Sequence, residues 1–471
     1  FRLVASGDKR SEEGTTGAFG IGFIAVYQVT DHPELISHRQ HWILYEEESE
    51  DKRIRVCPGC EKCNASDLPG TRFILPWAID QDSNLRKALR AEPVTPRDRE
   101  TIMKELEFNI PVAMIFLKKI NKIELKNNGK IHKSFERIKE GDQVLITNGK
   151  DDQIWNLIQG NFETSAKALR ERHPGRIEDK RSDKIQLAFR KELDTTGMFC
   201  ACLPTQDETG LPFHINADFF PYSDRKKIIL ESDYQSEWNC AAIEGAAVAL
   251  IDSLIIIRDL LGPIGLWEML TSIYKIWQEA KDGKRHPILQ RFWEALSPIL
   301  KDTSIVFTEL GQWITPNETL VLEKTEEEEA LPVLNSLGID VAHRDIRPYI
   351  FQLRRREVLD LELFDLSHLA RKLHTQGFTQ RTDLSCLPEI LRTQSGLSLL
   401  WREIGRLFER RRSAEKQKEI EKTLATCAIA LGTDRALWPC NQIYKADHKT
   451  MDLFGLLIPA PPFLAKSEND L

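Results

Sequence analysis

Four glycines in nine positions, Gly14-Thr15-Thr16-Gly17-Ala18-Phe19-Gly20-Ile21-Gly22, run directly into an apolar-periodic stretch through Phe23, Val26, Tyr27 and Val29 to Asp31. Glycine takes positive φ freely and has no Cβ. Such a loop can turn its amides inward and bring a helix N-terminus against a phosphate chain. The leading expectation is therefore an anion cradle. Gly20-Ile21-Gly22-Phe23-Ile24-Ala25 also fits a loose dinucleotide pattern, but residues 11–16 are polar where that pattern needs a strand. A plain tight turn before an amphipathic helix is the remaining alternative. A Walker loop is excluded because no Gly-Lys-Ser/Thr follows.

The chain's 471 residues exceed one ordinary core and imply several domains. A formal net charge of −7 argues against coating nucleic acid through bulk charge, although a local basic patch stays open. The most apolar stretch, residues 241–261, is broken by Glu244, Asp252 and Arg258 and reads as a buried helix, so no membrane partner is expected. Nine scattered cysteines suit a reducing cytosol, and the expected location is cytoplasmic.

After the glycine loop, Leu35-Ile36-Ser37, residues 41–45 and residues 53–56 read as strands. Cys57-Pro58-Gly59-Cys60-Glu61-Lys62-Cys63 carries two overlapping C-x-x-C spacings able to chelate zinc. A closed site needs a fourth ligand. His38, His41 and a distant cysteine are candidates, none with diagnostic spacing, and a cysteine-rich turn is the alternative. Gly70-Thr71 then opens a further strand.

A Gly-x-Phe-Gly-x-Gly-Phe loop entering a helix that ends in Asp, a hairpin, and Gly-Thr at a strand head, in that order, resembles the second half of a GHKL (Bergerat-fold) ATP-binding domain. That superfamily includes the heat-shock chaperone, gyrase, MutL, MORC proteins and sacsin. Residues 17–31 look closest to the chaperone and sacsin branch. The resemblance implies that amides of Gly17, Ala18, Phe19, Gly20, Ile21 and Gly22 hold the ATP phosphates, that Thr71 sits near the adenine edge, and that Lys9 belongs to a nucleotide lid. The family's Glu-x-x-x-Asn helix, which orients water and holds Mg2+, and its Asp-x-Gly-x-Gly loop are not found before Gly14. Glu105-Leu106-Glu107-Phe108-Asn109 has the spacing but follows Gly-Thr, and reads as an accidental match on the next helix. If Phe1 is a truncation point, the first half of the domain lies upstream. If it is the native start, the chain does not bind ATP alone.

Farther on, residues 95–117 read as a helix, 120–125 and 143–147 as strands, and 170–183 as a charged loop with little core. Strands at 185–190, 197–204 and 210–220 lead to Ser223-Asp224-Arg225-Lys226-Lys227, a basic turn suited to an anion or simply solvated. This stretch resembles a sacsin-like GHKL transducer domain, which implies that Arg225, or with less support Lys226 or Lys227, reaches the γ-phosphate. His214 reads as an ordinary strand histidine. Residues 234–300 read as helical. Residues 306–316 and 429–439 echo one another as strand, Gly turn, Trp and Pro. Residues 353–412 read as helical, with Arg354-Arg355-Arg356 and Arg410-Arg411-Arg412 diluted by acids.

The expected fold is α+β: the C-terminal half of a Bergerat sandwich over 1–90, a transducer domain over 91–235, a helical segment over 236–300, a hairpin module over 301–340, a second helical segment over 341–425, and a second hairpin module and tail over 426–471. The resemblance implies slow ATP hydrolysis coupled to closure on a protein client, with room for a homodimer. Two alternatives stay open: a non-hydrolysing scaffold, and a DNA-directed ATPase of genome maintenance or phage defence.

Overall fold

The glycine run emerges into Gly22–Gln28, a 3-10 helix. Its β-branched Ile24 and Val26 are poor α-helix formers, consistent with the tighter form. The computed structural model describes residues 22–37, 40–60, 63, 70–193, 196–231, 233–323, 325–354, 359, 361–410, 413–445 and 464. The fold is α+β, with two compact units: Phe1–Arg190 with Asp194–Leu250, and Lys191–Leu193 with Ile251–Leu471.

In the first unit, β1 (Glu34–Ser37), β2 (Gln40–Leu44), β3 (Ile54–Val56) and β4 (Thr71–Ile74) form an antiparallel sheet in the order β3-β2-β1-β4. Two helices follow, α1 (Asn84–Leu89) and α2 (Pro96–Phe116). Thr95 starts α2 with a reciprocal cap. Its hydroxyl accepts from the Asp98 amide at 3.3 Å while Asp98 accepts from the Thr95 amide at 2.8 Å, and Pro96 occupies the first turn.

An eight-stranded sheet carries the rest of this unit. Its members are β5 (Lys122–Asn127), β6 (Lys130–Glu140), β7 (Gln143–Thr147), β8 (Asp152–Asn161), β9 (Lys184–Phe189), β10 (Met198–Ala201), β11 (Leu203–Glu208) and β12 (His214–Ala217). The order is β11-β10-β12-β9-β8-β7-β6-β5, antiparallel except for the β10–β12 pair. Met114, Ile115 and Phe116 of α2 pack into a cluster with Phe135, Trp155 and Leu157. Helix α3 (Glu163–Arg172) follows β8, and α4 (Tyr234–Asp252) lies against β8 and β9. That approach depends on two glycines. A Cβ on Gly160 would stand 2.5 Å from Ala249 Cβ, and one on Gly245 would stand 2.7 Å from Ile185 Cδ1. Asn239 of α4 fastens the preceding segment, accepting from Phe220 N and donating to the carbonyls of Phe220 and Ile229, each at 2.8 Å.

The second unit begins with α5 (Leu254–Lys281), broken at Gly262-Pro263 where Gly262 has φ 71°. Helix α6 (Gln290–Leu300) buries Phe292, Trp293, Leu296 and Leu300. Strands β13 (Val306–Phe307) and β14 (Trp313–Ile314) make a hairpin, and β15 (Leu320–Val321) pairs in parallel with β16 (Glu362–Leu363). Helices α7 (Leu331–Ser336), α8 (Arg347–Arg354), α9 (Leu366–Thr375), α10 (Gln394–Phe408) and α11 (Ala414–Ala425) surround a core that includes Leu334, Phe364, Leu369 and Leu400. Strand β17 (Thr382–Asp383) joins the hairpin of β18 (Ala428–Leu431) and β19 (Ala436–Pro439) in the order β17-β19-β18. Both echoing segments are thus antiparallel hairpins.

One expectation needs correction and another a refinement. Residues 170–183 are, past Arg172, a largely exposed or half-buried loop with a single buried apolar side chain. The segment starts within α3, Ile177 is buried, and Arg181 is buried with bonds to Glu178 and Asp218 and a position 3.6 Å from the Phe220 ring centroid. Residues 353–412 are not continuously helical, because β16 and β17 interrupt them. Their apolar residues serve small sheets as well as helix faces.

Candidate metal centre and the other candidate site residues

His41 lies on β2, and its neighbour in register is the end of β3, where the Cys57 amide donates to the His41 carbonyl at 2.8 Å. That pairing swings the cysteine segment back over the buried imidazole. His41 Nδ1 stands 3.3 Å from Cys63 Sγ and 3.7 Å from Cys60 Sγ, and the two sulfurs are 3.6 Å apart. The ligand atoms of His41, Cys57, Cys60 and Cys63 all lie within 4.8 Å of one another. Amides complete the turn, with Cys60 N donating to Cys63 Sγ at 3.4 Å and Cys63 N to Cys60 O at 2.9 Å.

The other imidazole nitrogen is committed elsewhere. His41 Nε2 lies 2.9 Å from Glu34 Oε2 of β1, and both residues are buried. A proton on Nε2 donated to the carboxylate leaves the Nδ1 lone pair facing the sulfurs. At Cys57 the backbone hydrogen bond of Gly59 lowers the thiol pKa, but desolvation and the neighbouring Cys63 and Cys60 thiols outweigh it and leave it raised. Crowded thiols resist joint ionisation unless a cation accompanies the negative charge. Among the described residues, His41 is the candidate fourth ligand that the fold brings to the cysteines, and His38 lies outside those residues.

Lys9, Gly17, Ala18, Phe19, Gly20 and Ile21 also lie outside the described residues. Gly22 opens the 3-10 helix. The far end of that helix is held by Arg86 of α1, a residue the sequence reading passed over. Its Nε meets Asp31 Oδ1 at 2.7 Å, while Nη1 and Nη2 donate to the carbonyls of Gln28 at 3.1 Å and Tyr27 at 2.7 Å. A basic residue flanked by apolar Leu85 on a short helix was the available signal, too common to single it out.

Thr71 is exposed at the head of β4, its hydroxyl 3.1 Å from that of Ser37. Before it, Gly70 has φ 115° and open space where a Cβ would stand. Arg225 is exposed, with φ 58°, and its amide donates to Tyr222 O at 2.9 Å. Among the described residues nothing pairs with its guanidinium. Lys226 and Lys227 are exposed beside it. Glu105 and Asn109 lie exposed on α2, where the Asn109 side chain donates to Glu105 O at 2.9 Å.

Together these features define an α+β protein with a candidate His/Cys metal centre on its small sheet and a separate short glycine-led helix. Compared with protein-family models and with curated proteins, the chain matches none. Among the described residues, no single helix is long and apolar enough to cross a membrane.

Proposed function

We propose that the protein is a cytosolic GHKL-type ATP-binding protein of the chaperone and sacsin-like kind, coupling ATP binding and slow hydrolysis to closure on a macromolecular client. One observation carries the reading. The helix that leaves the glycine loop, the Asp31 that follows it, the β1–β3 strands and the Gly70-Thr71 strand head belong to one small structural group, with β4 hydrogen-bonded to β1 and Arg86 pinning Asp31. The donor set suits a nucleotide. Amides of residues 17–22 would hold its phosphates, the open Thr71 strand head would face its base, and the exposed Arg225 would meet developing phosphate charge. Bound magnesium would neutralise charge on the phosphate oxygens. The free state of all nine cysteines accords with a reducing compartment.

ATP titrated into the full protein tests this. Gly20→Asp places a carboxylate in the phosphate cradle, so affinity should fall by more than about tenfold with the far-ultraviolet circular dichroism unchanged. Arg225→Ala should lower turnover several-fold with affinity nearly kept. Unaltered affinity in Gly20→Asp would overturn the reading, and unaltered turnover in Arg225→Ala would remove that residue from it.

A further inference from the structure

We infer that His41, Cys57, Cys60 and Cys63 form a closed structural zinc site, with Glu34 orienting the histidine, that ties the β3–β4 connection to the centre of its sheet. The inference stands apart from nucleotide binding and uses none of the glycine-loop residues.

Spacing carries the argument first. A tetrahedral zinc ion with Zn–S bonds of about 2.3 Å holds its sulfurs about 3.8 Å apart. The Cys60–Cys63 separation of 3.6 Å and the His41 Nδ1 separations of 3.3 and 3.7 Å fall near that geometry, and Cys57 lies within the same 4.8 Å set. Three thiolates and one imidazole match the softness of zinc, and four protein ligands leave no open position, which makes the site structural rather than catalytic.

The second argument lies behind the ligands. A buried carboxylate on the far nitrogen of a metal-bound histidine sets the tautomer and raises ligand basicity, and Glu34 stands there at 2.9 Å. The amide of Cys60 donates to the Cys63 sulfur, as suits a thiolate. A bare cysteine turn needs neither arrangement. The ligands also have an order in the fold: His41 from β2, Cys57 just past β3, Cys60 and Cys63 from the connector, and Glu34 from β1, whose other neighbour is β4.

The test is metal content of the full protein purified without chelator, followed by Co2+ substitution. One zinc per chain is expected, and Co2+ should give the visible absorption of a tetrahedral ion with thiolate charge-transfer bands. Cys60→Ser should lose both. Two milder variants guard against simple misfolding. His41→Cys should keep one metal per chain with the Co2+ spectrum of a four-sulfur site, and Glu34→Gln should keep the spectrum while weakening Zn2+ affinity about 10- to 100-fold. A metal-free protein that takes up no Co2+, a Cys60–Cys63 disulfide in its place, an iron–sulfur chromophore, or Zn2+ affinity unchanged in Cys60→Ser would each overturn the assignment.

Discussion

Arg86 concentrates three interactions in one buried side chain: the Asp31 carboxylate and the carbonyls of Tyr27 and Gln28. Carbonyls at a helix end lack intrahelical partners, and the guanidinium fork satisfies two at once. Arg86→Met would strand Asp31, itself buried. Denaturant titration should register a loss of about 3–5 kcal/mol, because removing one partner leaves a buried charge uncompensated. An effect below about 1 kcal/mol would show that water reaches Asp31 readily. His214 illustrates the opposite case, a buried titratable group without a counter-charge. Its Nδ1 accepts from the Met198 amide at 3.1 Å, its Nε2 has no hydrogen-bond partner among the described residues, and the Trp155 ring lies tilted at 5.0 Å. Burial pushes the imidazole from 6.5 down to about 4. The folded chain therefore keeps the ring neutral in a range where the unfolded chain protonates it. Stability from this group is complete above pH 6.5 and declines as pH falls towards 4, with a slope of up to about 1.4 kcal/mol per pH unit. His214→Gln should flatten that part of the stability–pH curve, and an unchanged slope would assign the acid sensitivity elsewhere.

At the scale of elements, contact between α4 and the eight-stranded sheet rests on absent side chains. Gly245→Ala would drive a methyl against Ile185 and Phe162, so thermal and denaturant unfolding should show a loss of about 1–3 kcal/mol. Val248→Ala on the exposed side of the same helix should stay within about 0.5 kcal/mol. The elements differ in how openly their sequences declare them. Helix α2 was legible to within a residue because Thr95, Pro96 and Asp98 mark its start and its apolar residues recur on one face. Strand β6 was missed, since its residues are largely charged and exposed at both ends. Asn128-Gly129, both at positive φ between β5 and β6, was the signal that would have found it. The segment 353–412 misled for another reason. Its polar residues have long-range partners such as Arg381 with Asp434, which local periodicity does not encode.

Across the whole chain, the order of motifs could be read from one dimension, but their convergence could not. The cysteine spacing offered a possible metal ligand set, with a cysteine-rich turn as the alternative, and left its fourth member open among three candidates. The choice of His41 depends on β2–β3 register, in which Trp42 faces Val56 and Ile43 faces Arg55. A slip of one residue would turn His41 to the opposite face of the sheet. Arg86 likewise lies 55 residues from Asp31, and nothing local connects them. Thr71 and Arg225 were legible as exposed polar groups after glycine or within a turn, because such positions are written in nearby residue types.

The small sheet has strands of only three to five residues, short for independent stability. His41 and Cys63 are 22 positions apart. A shared zinc ion would tether the two ends of that loop in the folded chain, and because the unfolded chain has no preformed site its binding free energy would be folding free energy. The sheet would then be held by the ion as much as by burial. Removing the ion would restore the connector's conformational freedom and loosen the Thr71 strand head without breaking a single strand-to-strand hydrogen bond directly.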